Sequence, residues 1–243
     1  MTPTSSPPPK IKDVVVNILN TLEVIDHANL TESEILDLGV SAEGFDPNNE
    51  DPETSWLFMP ISKEDIKPGR SRPLRPTRFE EFAGGNEGFL VSTSWRTCLL
   101  EEWWDGEDLA GPSVRLIICT EGSGKEGSLL QSELGSIAQV VAFRRTQPGS
   151  RPIVLLLSLF GPRHRRIIQA CYDRPNDKLE LRISRVFCFA IKGDAAFDTF
   201  LRFTASYPPE IANPHFGTSL CDREALVHDA LPIRSKSNLN SLF

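Results

Sequence analysis

Two short apolar runs, Val114–Cys119 and Pro152–Phe160, constrain this chain more than any other feature. Each is nearly continuous in Val, Ile and Leu and is bounded by Gly and Pro, the pattern of a strand covered on both faces. Between them Leu130, Leu134, Ile137 and Val141 recur at helical spacing, with Ala138 and Ala142 beside them. That leaves Gln131, Glu133, Arg144 and Arg145 for other faces of the helix. A buried strand, a crossover helix and a second buried strand predict a βαβ unit with a right-handed connection. The fold class that follows is α/β (α+β), a mixed sheet with a central βαβ unit flanked by helices.

The rest of the chain arranges itself around that unit. Residues 1–10, with Pro3, Pro7, Pro8 and Pro9, have nothing to bury and read as a disordered tail. Ile11, Val14, Val15, Ile18, Leu19, Leu22 and Ile25 form a helical stripe. Thr31-Glu-Ser-Glu34 has capping-box spacing and Gly39 supplies a left-handed stop, so 11–40 is expected to be a helical hairpin. Residues 41–86 read as a Pro/Arg-containing connector: an acidic loop over 41–55, then Arg70-x-x-Pro73-x-x-Pro76. That spacing suits either an extended basic linker or a polyproline II ligand for an aromatic groove.

The α/β core domain is expected over 87–211. Phe89–Trp95 and Cys98–Trp104 have strand composition, and Asp105–Asp108 with Gly111-Pro112 reads as a hairpin loop. Arg165–Tyr172 and Leu179–Ile191 are further strands, and Asp194–Ser206 is a last helix burying Phe197, Phe200 and Leu201. An irregular extension occupies 212–243.

Charge is unevenly placed. The formal net charge is −7, yet Arg144 to Lys192 holds 11 Lys/Arg against 3 Asp/Glu, a local +8 that leaves −15 for the remainder. Cys98, Cys119, Cys171, Cys188 and Cys221 are widely spaced and odd in number, the usage expected of buried free thiols in a reducing compartment. No apolar run approaches 18 residues and no signal-peptide pattern opens the sequence. These features predict a protein without a membrane partner, intracellular, in the cytoplasm or nucleus.

Several familiar chemistries fail on spacing. Gly122-Ser-Gly-Lys125 follows a strand, but a Walker A loop needs a Gly and a hydroxyl where Cys119 and Glu126 stand, so a flexible turn is expected. His27, His164, His215 and His228 are isolated, and no Cys/His pair has zinc spacing. The carboxylates around the Val114 strand are more informative. Asp105, Glu107 and Asp108 precede it, Glu121 ends it and Lys125 follows. Such a group either converges at one sheet end to hold a magnesium ion and orient a water, or is a solvated turn.

The order strand, Asp108, strand, Glu121, Lys125, then a helix with Gln139-Val-Val-Ala-Phe143, resembles the PD-(D/E)XK restriction-endonuclease-like fold. Cys171-Tyr-Asp173-Arg174, a following strand and the Phe197–Phe203 helix resemble the version found in fungal kinase-associated and effector-like proteins. The resemblance covers roughly residues 89–206. It implies Asp108 and Glu121 as metal-binding acids, Lys125 as the catalytic lysine and Gln139 with Phe143 as the helix motif. Ser123 stands where the acid-x-Lys pattern needs its lysine, and Lys125 is two residues late. The resemblance therefore implies a degenerate, non-cleaving domain with no cofactor. An active version would be a magnesium-dependent phosphodiesterase.

Two functions are expected from these features. In the first, a nuclease-like domain contacts DNA, RNA or a nucleic-acid-bound partner through Arg144, Arg145, Arg151, Arg163, Arg165 and Arg166. The competing explanation of those arginines is pairing with the acidic remainder of the chain. In the second, a non-enzymatic module binds a protein through the Pro/Arg segment or through the Val14, Ile18, Leu22 and Ile25 stripe.

Overall fold

The computed structural model describes residues 13–48, 58, 60, 74–76, 94–105, 108–145, 152–189, 195–206 and 208. The expected tail at 1–10, the extension at 212–243, most of the Pro/Arg connector and Arg151 lie outside them. In chain order the elements are α1 (Val14–Leu22), β1 (Asn29–Leu30), α2 (Glu32–Asp37), β2 (Val40–Phe45) and β3 (Leu74–Pro76). Then come β4 (Trp95–Asp105), β5 (Asp108–Thr120), β6 (Leu129–Leu130), α3 (Gln131–Arg144), β7 (Ile153–Phe160) and β8 (His164–Asp173). The described chain closes with β9 (Lys178–Ser184), β10 (Phe187–Cys188) and α4 (Ala195–Thr204).

The two apolar runs become β5 and β7, adjacent and parallel, with α3 as the crossover. They lie in the middle of a sheet of order β2-β9-β8-β7-β5-β4-β3, with β10 continuing beside β8. The sheet is mixed: β5–β7 and β2–β9 are parallel, whereas β3–β4, β4–β5, β7–β8 and β8–β9 are antiparallel. Side chains alternate along β7 and feed two cores. Val154 and Leu156 join Val15, Ile18, Leu22, Leu134, Ile137 and Val141 on one face. Ile153, Leu155 and Leu157 join Trp103, Phe187, Phe200 and Phe203 on the other. Each such buried aliphatic contributes about 1.5–3 kcal/mol, which is why a continuous apolar run is stable only when both faces are covered.

The first helix is shorter than its stripe but forms for the expected reason. Asp13 caps it, its carboxylate accepting the N–H groups of Val15 and Val16 at 3.1 Å. Val14, Val15, Ile18 and Leu22 are buried, and Ile25 packs half-buried beside them. The capping box at Thr31 and Glu34 starts α2, and Gly39, at φ +79°, ends it in a conformation other residues adopt only with strain. The chain then departs from the expected helical hairpin followed by a loop. Val40–Phe45 is an edge strand paired in parallel with β9, from Val40↔Leu179 to Phe45↔Ser184. Its Ser-Ala-Glu-Gly composition carries little strand preference of its own, and the pairing partner supplies it.

A second departure concerns α3. The helix is buried on most of its surface because the sheet covers one side and α1 packs against another, and Glu133 and Arg144 are buried with it against partners on β8 and β4. Gln131 ties the two helices together, its Nε2 donating to the Leu22 and Ile25 carbonyls at 2.5 and 3.3 Å, where α1 has ended and those oxygens lack a helical partner. At the opposite edge Pro76 sits in β3 against Glu101, an edge position that tolerates a missing N–H.

Candidate functional site

Parallel β5 and β7 end at Thr120 and Phe160 on the same side of the sheet, where β8 and β4 begin. The loop 121–128 crosses this end as the turn its glycines predicted, and hydrogen bonds tie it to its neighbours. Glu121 N–H donates to the Ser94 carbonyl at 3.1 Å, and Asn29 Nδ2 donates to Ser123 O at 3.2 Å. Glu126 accepts the Val186 N–H at 2.9 Å. Beneath the loop Arg166 donates to Ser128 O at 2.5 Å and to Lys125 O at 3.4 Å. A Cβ on Gly124 would come within 2.9 Å of the Phe160 ring, so only glycine fits that close approach.

Arg166 itself is a buried structural cation. Its Nε and Nη2 reach both carboxylate oxygens of Glu133 at 3.2 and 2.6 Å, its plane lies 5.4 Å over the Phe160 ring, and both side chains are essentially inaccessible. Glu133 also accepts the Leu130 N–H at 2.8 Å, at the start of α3. Two desolvated charges survive this burial because their remaining hydrogen-bonding groups find partners as well.

At the other end of α3, Arg144 pairs with Glu102 of β4, and burial pushes its guanidinium down to about 10. Arg145 binds Asp13 at 2.5 Å. Burial lowers the Arg145 guanidinium's affinity for its proton, and its hydrogen bonds with Asp13 and Tyr172 together with the Asp13 charge more than offset this and leave it raised. Thus Arg144, Arg145 and Arg166, three of the arginines expected to contact nucleic acid, are held by Glu102, Asp13 and Glu133 of the same chain.

Arg163 and Arg165 remain at the surface. Arg163 is exposed in the β7–β8 turn, and Arg165 is half-buried with its guanidinium 5.6 Å over the Phe189 ring. Sheet register extends this group in a way that spacing did not reveal. Arg96, Cys119, Leu159, Arg165 and Phe187 are successive cross-strand partners, one row pointing to the α4 face. At about 4.8 Å per strand, Arg96 and Arg165 stand roughly 14 Å apart with Cys119 and Leu159 between them. Exposed Arg185, 5.6 Å over Phe187, and exposed Lys125 border the same sheet end. Arg96 and Arg185 could have been found only by pairing the strands.

The expected acids do not meet. Asp105↔Asp108 closes one end of the β4–β5 hairpin and Trp95↔Thr120 the other, so the ten residue steps of β4 from Trp95 to Asp105, about 33 Å, lie between Asp108 and the end of β5 that Glu121 follows. Two carboxylates sharing a magnesium ion must each bring an oxygen to about 2.1 Å from it. Glu121 and Lys125 are both exposed, and Gln139 sits half-buried in α3, eight residues or about 12 Å along the axis from Gln131. Among the described residues no group of three or more His, Cys, Asp and Glu could hold a metal ion, and no helix is long and apolar enough to cross a membrane.

The thiols also differ from expectation. Cys171 is buried, but Cys98 and Cys188 are exposed and Cys119 is half-buried. Compared with family models, curated proteins and solved structures, the chain matches none.

Proposed function

We propose that this chain is a restriction-endonuclease-like domain that contacts nucleic acid, or a partner bound to it, without cleaving it. The observation that carries the reading is the cluster of Arg96, Lys125, Arg163, Arg165 and Arg185 around the carboxyl ends of β5 and β7. Open α/β sheets bind ligands at that end of their strands, and phosphate contacts need cations that are still accessible. The non-cleaving part rests on the separation of Asp108 from Glu121.

A protein-interaction module is less well supported. Val14, Ile18 and Leu22 of the stripe that would dock are buried in the core and Ile25 is half-buried, and Arg70 and Pro73 of the polyproline version lie outside the described residues.

The test is a titration of labelled single-stranded and duplex oligonucleotides over a range of salt. Binding should weaken with a log–log slope of about −0.9 per phosphate neutralised on duplex. Charge reversal at Arg163 and Arg165 should flatten that slope. Salt-insensitive binding, or none at low salt, overturns the reading. Magnesium and manganese should give no cleavage. Metal-dependent cleavage abolished by Glu121→Gln would overturn the non-cleaving part while leaving the contact surface standing.

A further inference from the structure

The antiparallel β4–β5 ladder is interrupted near its open end. Thr97 pairs with Ile118 and Leu99 with Ile117, so Cys98 is the extra residue of a bulge. The bulge turns its side chain onto Cys119, and the Cys98 thiol donates to Cys119 Sγ at 2.8 Å. Both cysteines are free.

We propose that Cys98 and Cys119 are a redox-active dithiol that closes to a disulfide by exchange with a low-molecular-weight disulfide. A disulfide needs its sulfurs about 2.05 Å apart, so closure asks for roughly 0.8 Å of approach between the two sulfurs. Access is asymmetric. Cys98 is exposed and is the sulfur an incoming disulfide meets, whereas Cys119 is half-buried. Burial first, and then the hydrogen bond and charge of Cys98, push the Cys119 thiol up to about 11. Arg96 and Arg165 act against that rise and supply the positive surroundings that reactive thiols use.

The exchange balances with glutathione disulfide as oxidant. The Cys98 thiolate attacks one glutathione sulfur, forms a mixed disulfide and releases one glutathione thiolate. The Cys119 thiol then gives up its proton to that thiolate and attacks the Cys98 sulfur, expelling the second glutathione. Two protein thiols are oxidised and one glutathione disulfide is reduced to two thiols. The other described cysteines do not compete. Cys171 pairs with Ile153 at the far end of β8. Cys188 lies beside His164, three strands from β5 or about 14 Å, beyond disulfide reach.

The full-length protein, equilibrated in defined mixtures of reduced and oxidised glutathione, acid-quenched and alkylated, is digested and mapped by mass spectrometry. The expected product is one Cys98–Cys119 linked peptide that disappears when reduced glutathione is restored. In Cys119→Ser the glutathione adduct should persist on Cys98, and in Cys98→Ser alkylation of Cys119 should be roughly tenfold slower than that of Cys98 in the wild type. No linked peptide at the most oxidising mixture, a persistent wild-type adduct on Cys98, or linkage of either residue to Cys188 or Cys221 overturns the proposal. The wild-type map decides the question even if a serine variant does not fold.

Discussion

Arginines of one basic stretch have opposite fates at two depths of the molecule. Arg166 and Arg144 lie in the interior, paired with Glu133 and Glu102, and bolt the two ends of α3 to β8 and β4. Arg163, Arg165 and Arg185, within the same stretch of chain, stand at the rim of the sheet over a turn or an aromatic ring. Neighbours in sequence, Arg165 and Arg166, fall on opposite sides of the division because alternate residues of a strand face opposite sides of the sheet. A local charge excess thus measures the supply of cations and says nothing of how many remain to meet a partner.

Breaking an interior pair should give the largest effect. Arg166→Ala leaves Glu133 buried without its guanidinium and releases the 121–128 loop, and it should lower stability by about 3–5 kcal/mol. The shift in denaturant midpoint measures this. Arg166→Met combined with Glu133→Leu should cost less than the single change, since no charge is then stranded. A single substitution costing no more than a surface one would dissolve the division between interior and rim.

Asp13 lies between the two extremes. It caps α1 and binds Arg145 while remaining partly accessible. Burial raises its carboxyl, but the hydrogen bond from Arg145, those from the Val16 and Val15 N–H groups and the Arg145 charge together hold it below its ordinary value of 3.8. A depressed carboxyl stabilises the fold above its unfolded value and loses that contribution as pH falls through its folded one. Asp13→Ala should therefore cost about 1 kcal/mol at neutral pH, typical of a lost cap. The gap from wild type should close in acid-denaturation curves below pH 3.8. A gap independent of pH would remove the ion pair from the account.

The smallest stability effects belong to the rim. Arg163→Ala and Arg185→Ala should each leave stability within about 0.5 kcal/mol, as exposed positions do. Thermal melts that move as far as those of Arg166→Ala would place them with the interior group.

The same contrast shows which parts of the molecule were legible in the chain. The β5–α3–β7 unit was, because an unbroken aliphatic run can be stabilised only between two covering layers. Helix α1 and the Thr31 capping box were also legible, since their signals lie within a few residues of each other. Strand β2 was not, because Ser41-Ala-Glu-Gly44 is a strand only by virtue of β9 beside it. Glu133 and Arg144 looked like solvent-facing positions of an amphipathic helix. Oppositely charged partners on β8 and β4 made their burial against the sheet tolerable.

The sequence by itself determined the layers and their centre, because hydrophobic periodicity is a local property that any folded state must satisfy. Tertiary structure alone decided the candidate site. It placed Asp108 and Glu121 at opposite ends of one hairpin, aligned Arg96 with Arg165 across four strands, and set Cys98 against Cys119 through a single bulge. Register and bulge position arise from pairing between distant segments, and a shift of one residue would have turned each of these side chains to the opposite face.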